Sequence, residues 1–158
     1  MIDVKSNPKA SYIALRDLLK TYAPILTTYH KDGRIEPGPL RIIISGNRDR
    51  ATMAAEDTRL AAVDGQLPDL TANPPPPPSL VPWISGEWKR SFKWTGQGPI
   101  PEAELAKLKS LADQAHAQGR QLRFWGAPDT EPAWRALRNA TVDLINTDNL
   151  KGLATFLH

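Results

Sequence analysis

The residues of this chain that can carry chemistry gather where short apolar runs stop. Asp3 and Lys5 stand two apart near the start, interleaved with Ile2 and Val4. In an extended strand this spacing places the carboxylate and the ammonium on one face and the apolar pair on the other. If Ile2 and Val4 meet covering helices, Asp3 and Lys5 face inward, where both charges must be engaged. A metal ion on the acid and a phosphate on the lysine would engage them. A buried structural ion pair or a frayed, exposed terminus would also account for the pattern. Arg123 and Trp125 repeat the spacing opposite Leu122 and Phe124. An inward Arg123 asks for a carboxylate, with Asp64 and Asp143 as candidates, and Trp125 reads either as an apolar pocket wall or as core. The stretch "WISGEWKRSFKW" (83–94) mixes Trp83, Trp88, Phe92 and Trp94 with Lys89, Arg90 and Lys93. It suits a lid over a phosphorylated or lipid-like ligand, with Trp88 touching that ligand, and it equally suits aromatic packing.

The histidines are poorly placed for acid–base work. His30 falls in the turn "YHKDG", His116 near the end of a helix, and His158 is the final residue. No HExxH, GxSxG or phosphate-loop pattern occurs. With no cysteine there is neither a disulfide nor a thiol nucleophile. The balance of 20 basic and 17 acidic side chains leaves only +3, which suits a small anion or a lipid headgroup and is too weak to argue for nucleic acid. No apolar run approaches the roughly 18 residues of a membrane span.

The elements that must position these residues follow one rhythm: a short apolar run, a polar turn, then a helix. Strands are predicted at 2–5, 41–45, 60–64, 121–125 and 142–145, and helices at 8–22, 101–118, 131–140 and 150–157. Asn7 and Pro8 read as the cap and first position of the first helix. The segment 65–98, with its "NPPPPPS" run, reads as a Pro-rich and aromatic insert in a single domain spanning 1–158. Strands alternating with helices imply an α/β fold with parallel strands and helical crossovers. No Gly-rich loop follows a strand, so the expectation is a partial (β/α)8 TIM barrel of roughly five units. Its chemistry would sit at the carboxyl ends of the strands.

The succession "IDVKS", "RIIISGNR", "AAVDGQLPDL", "QLRFWGAPD" and "VDLINTD" resembles the later part of the PLC-like phosphodiesterase superfamily. The nearest likeness is to proteins related to glycerophosphodiester phosphodiesterases and to altered-inheritance-of-mitochondria protein 6. The resemblance runs along the whole chain, with the D-x-K strand and "INTDNLKGL" its more specific pieces. It implies metal-dependent hydrolysis of a glycerophosphodiester or phospholipid-like substrate, with Mg2+ or Ca2+ as cofactor. On the matching positions it makes Asp3 a metal ligand, Lys5 the phosphate contact of the catalytic set, and Trp125 and Asn146 substrate contacts. The family's paired histidines and other metal acids precede its D-x-K strand, and this chain has no counterpart of them. The implied protein is therefore weak or inactive as an enzyme. The alternative is a non-catalytic half-barrel that binds a ligand or pairs with a second copy through open sheet edges. An unrelated α/β enzyme is disfavoured, because no nucleophile–base pair is visible.

Overall fold

Strand β1 (Ile2–Val4) opens the chain, and helix α1 (Pro8–Leu19) follows at once. Asn7 caps α1 by accepting the Ala10 N–H at 3.0 Å, and Pro8 takes the first turn, where its missing N–H costs nothing. The α-helix stops at Leu19 instead of reaching Tyr22. A 3-10 segment, Lys20–Ile25, takes over around Pro24, which cannot donate to continue the α pattern. Next come β2 (Thr28–His30), β3 (Ile35–Glu36), β4 (Ile43–Gly46), α2 (Arg50–Ala55), β5 (Thr58–Arg59) and β6 (Ala62–Gln66). A 3-10 turn, Leu67–Leu70, leads on to β7 (Trp83–Glu87), α3 (Trp88–Ser91), α4 (Glu102–Ala117), β8 (Gln121–Trp125), α5 (Glu131–Asn139), β9 (Leu144–Ile145) and α6 (Leu150–Leu157).

This is a computed structural model, and it describes all of residues 1–158. The chain divides into two compact units, Met1–Gly65 with Ala72–Pro82, and Gln66–Thr71 with Trp83–His158. It is α/β, with parallel strands flanked by helices, as the alternation of apolar runs and helices implied.

In the first unit β1, β4 and β6 run parallel. Ile2, Asp3 and Val4 lie beside Ile44, Ser45 and Gly46, and Ile43 and Ile44 lie beside Ala62 and Val63. Both isoleucines and Val63 are buried, as expected of strands covered on two faces. A small antiparallel sheet, β3-β2-β5, accompanies them and was not legible in the sequence. The proline run also corrects an expectation. Read as a stiff insert, it delivers Leu80 and Val81 into the core of this unit, and the Leu80 carbonyl accepts the Val63 N–H at 2.8 Å.

In the second unit β7, β8 and β9 run parallel, with all five residues of β7 in register against β8. Strand β7 lies inside the stretch expected as an insert, so 65–98 is not an appendage. Its Ile84 is fully buried, and Gly86 packs so closely on Phe124 that an added Cβ would stand 2.5 Å from the ring. Trp88, Phe92, Trp94 and Phe124 form one aromatic cluster. Trp88 and Phe92 have ring centroids 4.3 Å apart, and Phe124 meets Trp88 edge-on at 5.8 Å. Glu104 of α4 holds this segment down by accepting the Lys93 and Trp94 N–H groups at 3.2 and 3.1 Å.

Candidate functional site

The parallel strands of the first unit end in a polar group. Asp3 and Lys5 share the outward face of β1, while Val4 is buried on the other, as the i, i+2 spacing required. The Lys5 ammonium lies 2.5 Å from the Asp3 carboxylate, and the two side chains are 80% and 45% exposed. The two structural outcomes left open by the sequence were a buried ion pair and an exposed terminus; the pair forms, but in solvent and not buried. The strand register adds two residues to that face. Ser45 lies beside Asp3, and continuing the β4–β6 pairing brings Asp64 next to Ser45. Asp64 is buried, in contrast to Asp3. Gly46 turns the chain away from the rung at φ +71°, and a Cβ there would strike the Asp3 carboxylate and the Val4 carbonyl. Beyond the turn, Asn47 donates to the Lys5 and Ser6 carbonyls at 3.3 and 3.2 Å, and Arg48 donates to the Gly46 carbonyl at 3.0 Å. Lys5, paired with Asp3, and Arg48, held on the Gly46 carbonyl, thus follow the ends of β1 and β4, residue types able to contact a phosphate-like anion.

In the second unit the strand ends are built differently. Arg123 donates to the Ser85 hydroxyl at 3.3 Å and to the Asn146 side-chain oxygen. Asn146 thereby orients the guanidinium. Trp125 stands one rung further on, beside Glu87, with its indole 44% exposed. It is exposed at the strand end and is not core. Glu87 pairs with Arg90 at 2.6 Å. Ser85 and Glu87 were missed in the sequence because β7 was read as insert. The period-2 pattern of "WISGE", with Ile84 and Gly86 against Trp83, Ser85 and Glu87, is the signal that finds them.

Two side chains occupy other places than those first considered. Trp88 is only 2% exposed. Its ring is packed against Phe92, Trp94 and Phe124, and its Nε1 donates to the Trp94 carbonyl at 2.9 Å. A ligand-contacting lid position is corrected to a core one: the ring lies inside the cluster. Asp143, a candidate counter-ion for Arg123, accepts instead from the Leu122 N–H at 2.8 Å and pairs with His116 Nε2 at 2.9 Å.

The histidines lie away from the parallel strand ends. His30 sits in β2 of the antiparallel sheet with its Nε2 3.3 Å from Glu36, His116 is on α4, and His158 follows α6. In neither unit do three or more His, Asp or Glu side chains come together in a group able to hold a metal ion. A hard divalent cation asks for about six oxygen donors. Asp3, already paired with Lys5, is one carboxylate of two on its rung. The residues present do not fit such an ion, and no chemical step is derived through one. Compared with protein-family models, with curated proteins and with solved structures, the chain gives no match.

Proposed function

We propose that this chain is a phosphodiester-recognising α/β protein similar to PLC-like phosphodiesterases, whose own residues bind a glycerophosphodiester or phospholipid-like headgroup and do not efficiently cleave it. The observation that carries this reading is the exposed Asp3–Lys5 pair at the carboxyl end of β1, with Arg48 and Asn47 following the next strand. Strand ends of parallel sheets are where α/β proteins place their ligands. Lys5 is the phosphate contact in this account, and Asp3 positions its ammonium. Trp125, exposed at a strand end of the second unit, and Asn146, which accepts from Arg123 there, form a separate strand-end group. Cleavage would need a general base and a general acid near the phosphorus, and such a pair is typically worth about 10²–10⁴-fold each way. None of the three histidines stands at a parallel strand end, so turnover is expected to be weak.

Isothermal titration with glycerophosphocholine, beside a hydrolysis assay in Mg2+ or Ca2+, tests this reading. Saturable binding, weakened about tenfold by Lys5→Ala, with hydrolysis near background, is expected. Robust hydrolysis abolished by Lys5→Ala would show that this chain is a complete enzyme and that the binding-only account is wrong. A second reading, a self-associating module, is favoured by β1 and β9, each of which pairs with a single neighbour.

A further inference from the structure

A second polar site lies in the first unit and shares no residue with the strand-end group. A cavity of about 440 Å³ is lined by Arg16, Lys20, Thr28, Glu56, Thr58 and Arg59, among others. Its one carboxylate is already satisfied: Glu56 accepts from the Tyr12 hydroxyl at 2.5 Å and from Arg16 at 3.0 Å. Arg59 is different. It is 3% exposed, and its guanidinium donates only to the carbonyls of Met53, Glu56 and Ser79, at 3.2, 3.4 and 2.9 Å. No carboxylate lies within ion-pairing distance of it. A buried guanidinium without a counter-ion costs several kcal/mol, which carbonyl oxygens offset only in part. Burial accordingly pushes the Arg59 pKa down, against the influence of Tyr12, Glu56 and Tyr29 around it.

Three buried polar atoms lie without partners in this unit, and of their residues Arg59 lines the cavity. Arg59 Nε, the Tyr29 hydroxyl and the Ser79 hydroxyl have no hydrogen-bond partner within the protein. Tyr29 and Arg59 are register partners on β2 and β5, and Arg59 reaches the Ser79 backbone. Orphaned buried donors of this kind mark the place of a bound water or ion. Water would satisfy the hydroxyls and leave the charge uncompensated. Lys20 adds a mobile ammonium at the rim, since its partner Asp17 lies outside in an exposed pair that holds it weakly.

We propose that this cavity binds a phosphate-sized oxyanion, held by the Arg59 guanidinium and the Lys20 ammonium. Two cations of different geometry, a planar guanidinium and an ammonium, present more donors than a carboxylate can accept from. A tetrahedral anion with four oxygens matches them better. The anion is free phosphate, sulfate or the phosphate of a larger molecule.

Titration of the full chain with inorganic phosphate, in a buffer free of other oxyanions, tests the proposal, with amide shifts at residues 56–60 and melting temperature as readouts. Saturation with shifts at Thr58 and Arg59 is expected. Lys20→Glu and Lys20→Gln are expected to weaken the binding read at Thr58 and Arg59 about tenfold or more, while Lys151→Ala leaves it unchanged. Arg59→Met also removes the caps on Met53 and Glu56 and can fail to fold, so the rim variants carry the test. A titration without saturation would overturn the proposal. So would unchanged binding at these amides in Lys20→Glu, or equal affinity for acetate. Sodium glycerol 3-phosphate binding as tightly as phosphate would support it and identify a phosphate monoester as the source.

Discussion

At the scale of single residues, Asp129 shows how one exposed side chain ties several segments together. Its carboxylate accepts from the Trp134 indole N–H at 3.0 Å, the Thr147 hydroxyl at 2.5 Å, and the backbone N–H groups of Asp148 and Asn149 at 2.9 Å each. Burial alone would raise its pKa, but the four donors outweigh burial and hold it below the usual carboxylate range. A folded-state pKa below the unfolded one means that this stabilisation is complete above the unfolded value, near 3.9. It is lost as pH falls through the folded value. Asp49, the α2 cap that accepts from the Thr52 N–H and hydroxyl, shifts in the same direction. Asp129→Ala is therefore expected to cost about 1–2 kcal/mol at neutral pH and to flatten the acid limb of stability below about pH 4. Urea melts at pH 7 and pH 3 check both, and an unchanged gap between the two would contradict the assignment. Gly46→Ala is expected to destabilise by about 1–3 kcal/mol, because its φ is left-handed and its Cβ would meet the Asp3 carboxylate. How far such residues were legible depended on whether their partners were local. The same-face placement of Asp3 with Lys5, and of Arg123 with Trp125, follows from spacing alone. The pairing of His116 with Asp143, 27 positions away, depends on how α4 packs beside β8, and periodicity carries no information about that.

At the scale of elements, the failure to read β7 has a specific cause. Its five residues hold Trp83 and Ile84 as strand formers, but Gly86 breaks the run, and the proline run just before drew the whole stretch into the reading of an insert. What makes "WISGE" a strand is tertiary: Gly86 admits the Phe124 ring, and Ile84 fills the core beside Leu122. By contrast β8 was read at its full length, because "QLRFW" alternates cleanly, and α6 at 150–157 stands as expected, with Asn149 capping it by accepting the Gly152 N–H. The antiparallel β3-β2-β5 sheet has strands of only two or three residues, below the length at which a period can be recognised. Gly86→Ala is expected to cost about 1–3 kcal/mol through overpacking. The Phe124 ring cannot yield, being packed by Trp88 at 5.8 Å and Phe92 at 5.3 Å. Trp88→Ala should cost more, about 3–5 kcal/mol, and should abolish the near-ultraviolet circular dichroism of the cluster while leaving glycerophosphocholine affinity in the surviving folded fraction unchanged. Loss of that affinity without loss of stability would return Trp88 to the ligand site.

At the scale of the whole molecule, the outermost strands govern how the chain meets a second copy of itself. Strand β1 pairs only with β4, and β9 only with β8. The Val4 carbonyl accepts the Asn47 N–H at 2.8 Å, so the backbone groups of Val4 point toward β4. By the alternation of a strand, the N–H and carbonyl of Asp3 then point to the open side. An edge of this kind recruits further strands unless short length or charge discourages it. Both discouragements are present, since β1 has three residues and Asp3 and Lys5 flank its end. Association is therefore expected to be weak and concentration-dependent rather than obligate. Light scattering behind size exclusion should show the mean mass rising across two decades of concentration. Asp3→Pro removes the outward N–H while keeping the Val4 bond to Asn47, and it should hold the chain monomeric. Asp3→Ala keeps that N–H and should still associate, so the pair separates the backbone edge from the carboxylate. A monodisperse monomer in the unmodified chain throughout the range would mean that the two edges are adequately protected by their brevity and charge. The self-associating reading would then fall, and ligand binding at the strand ends would remain the function to test.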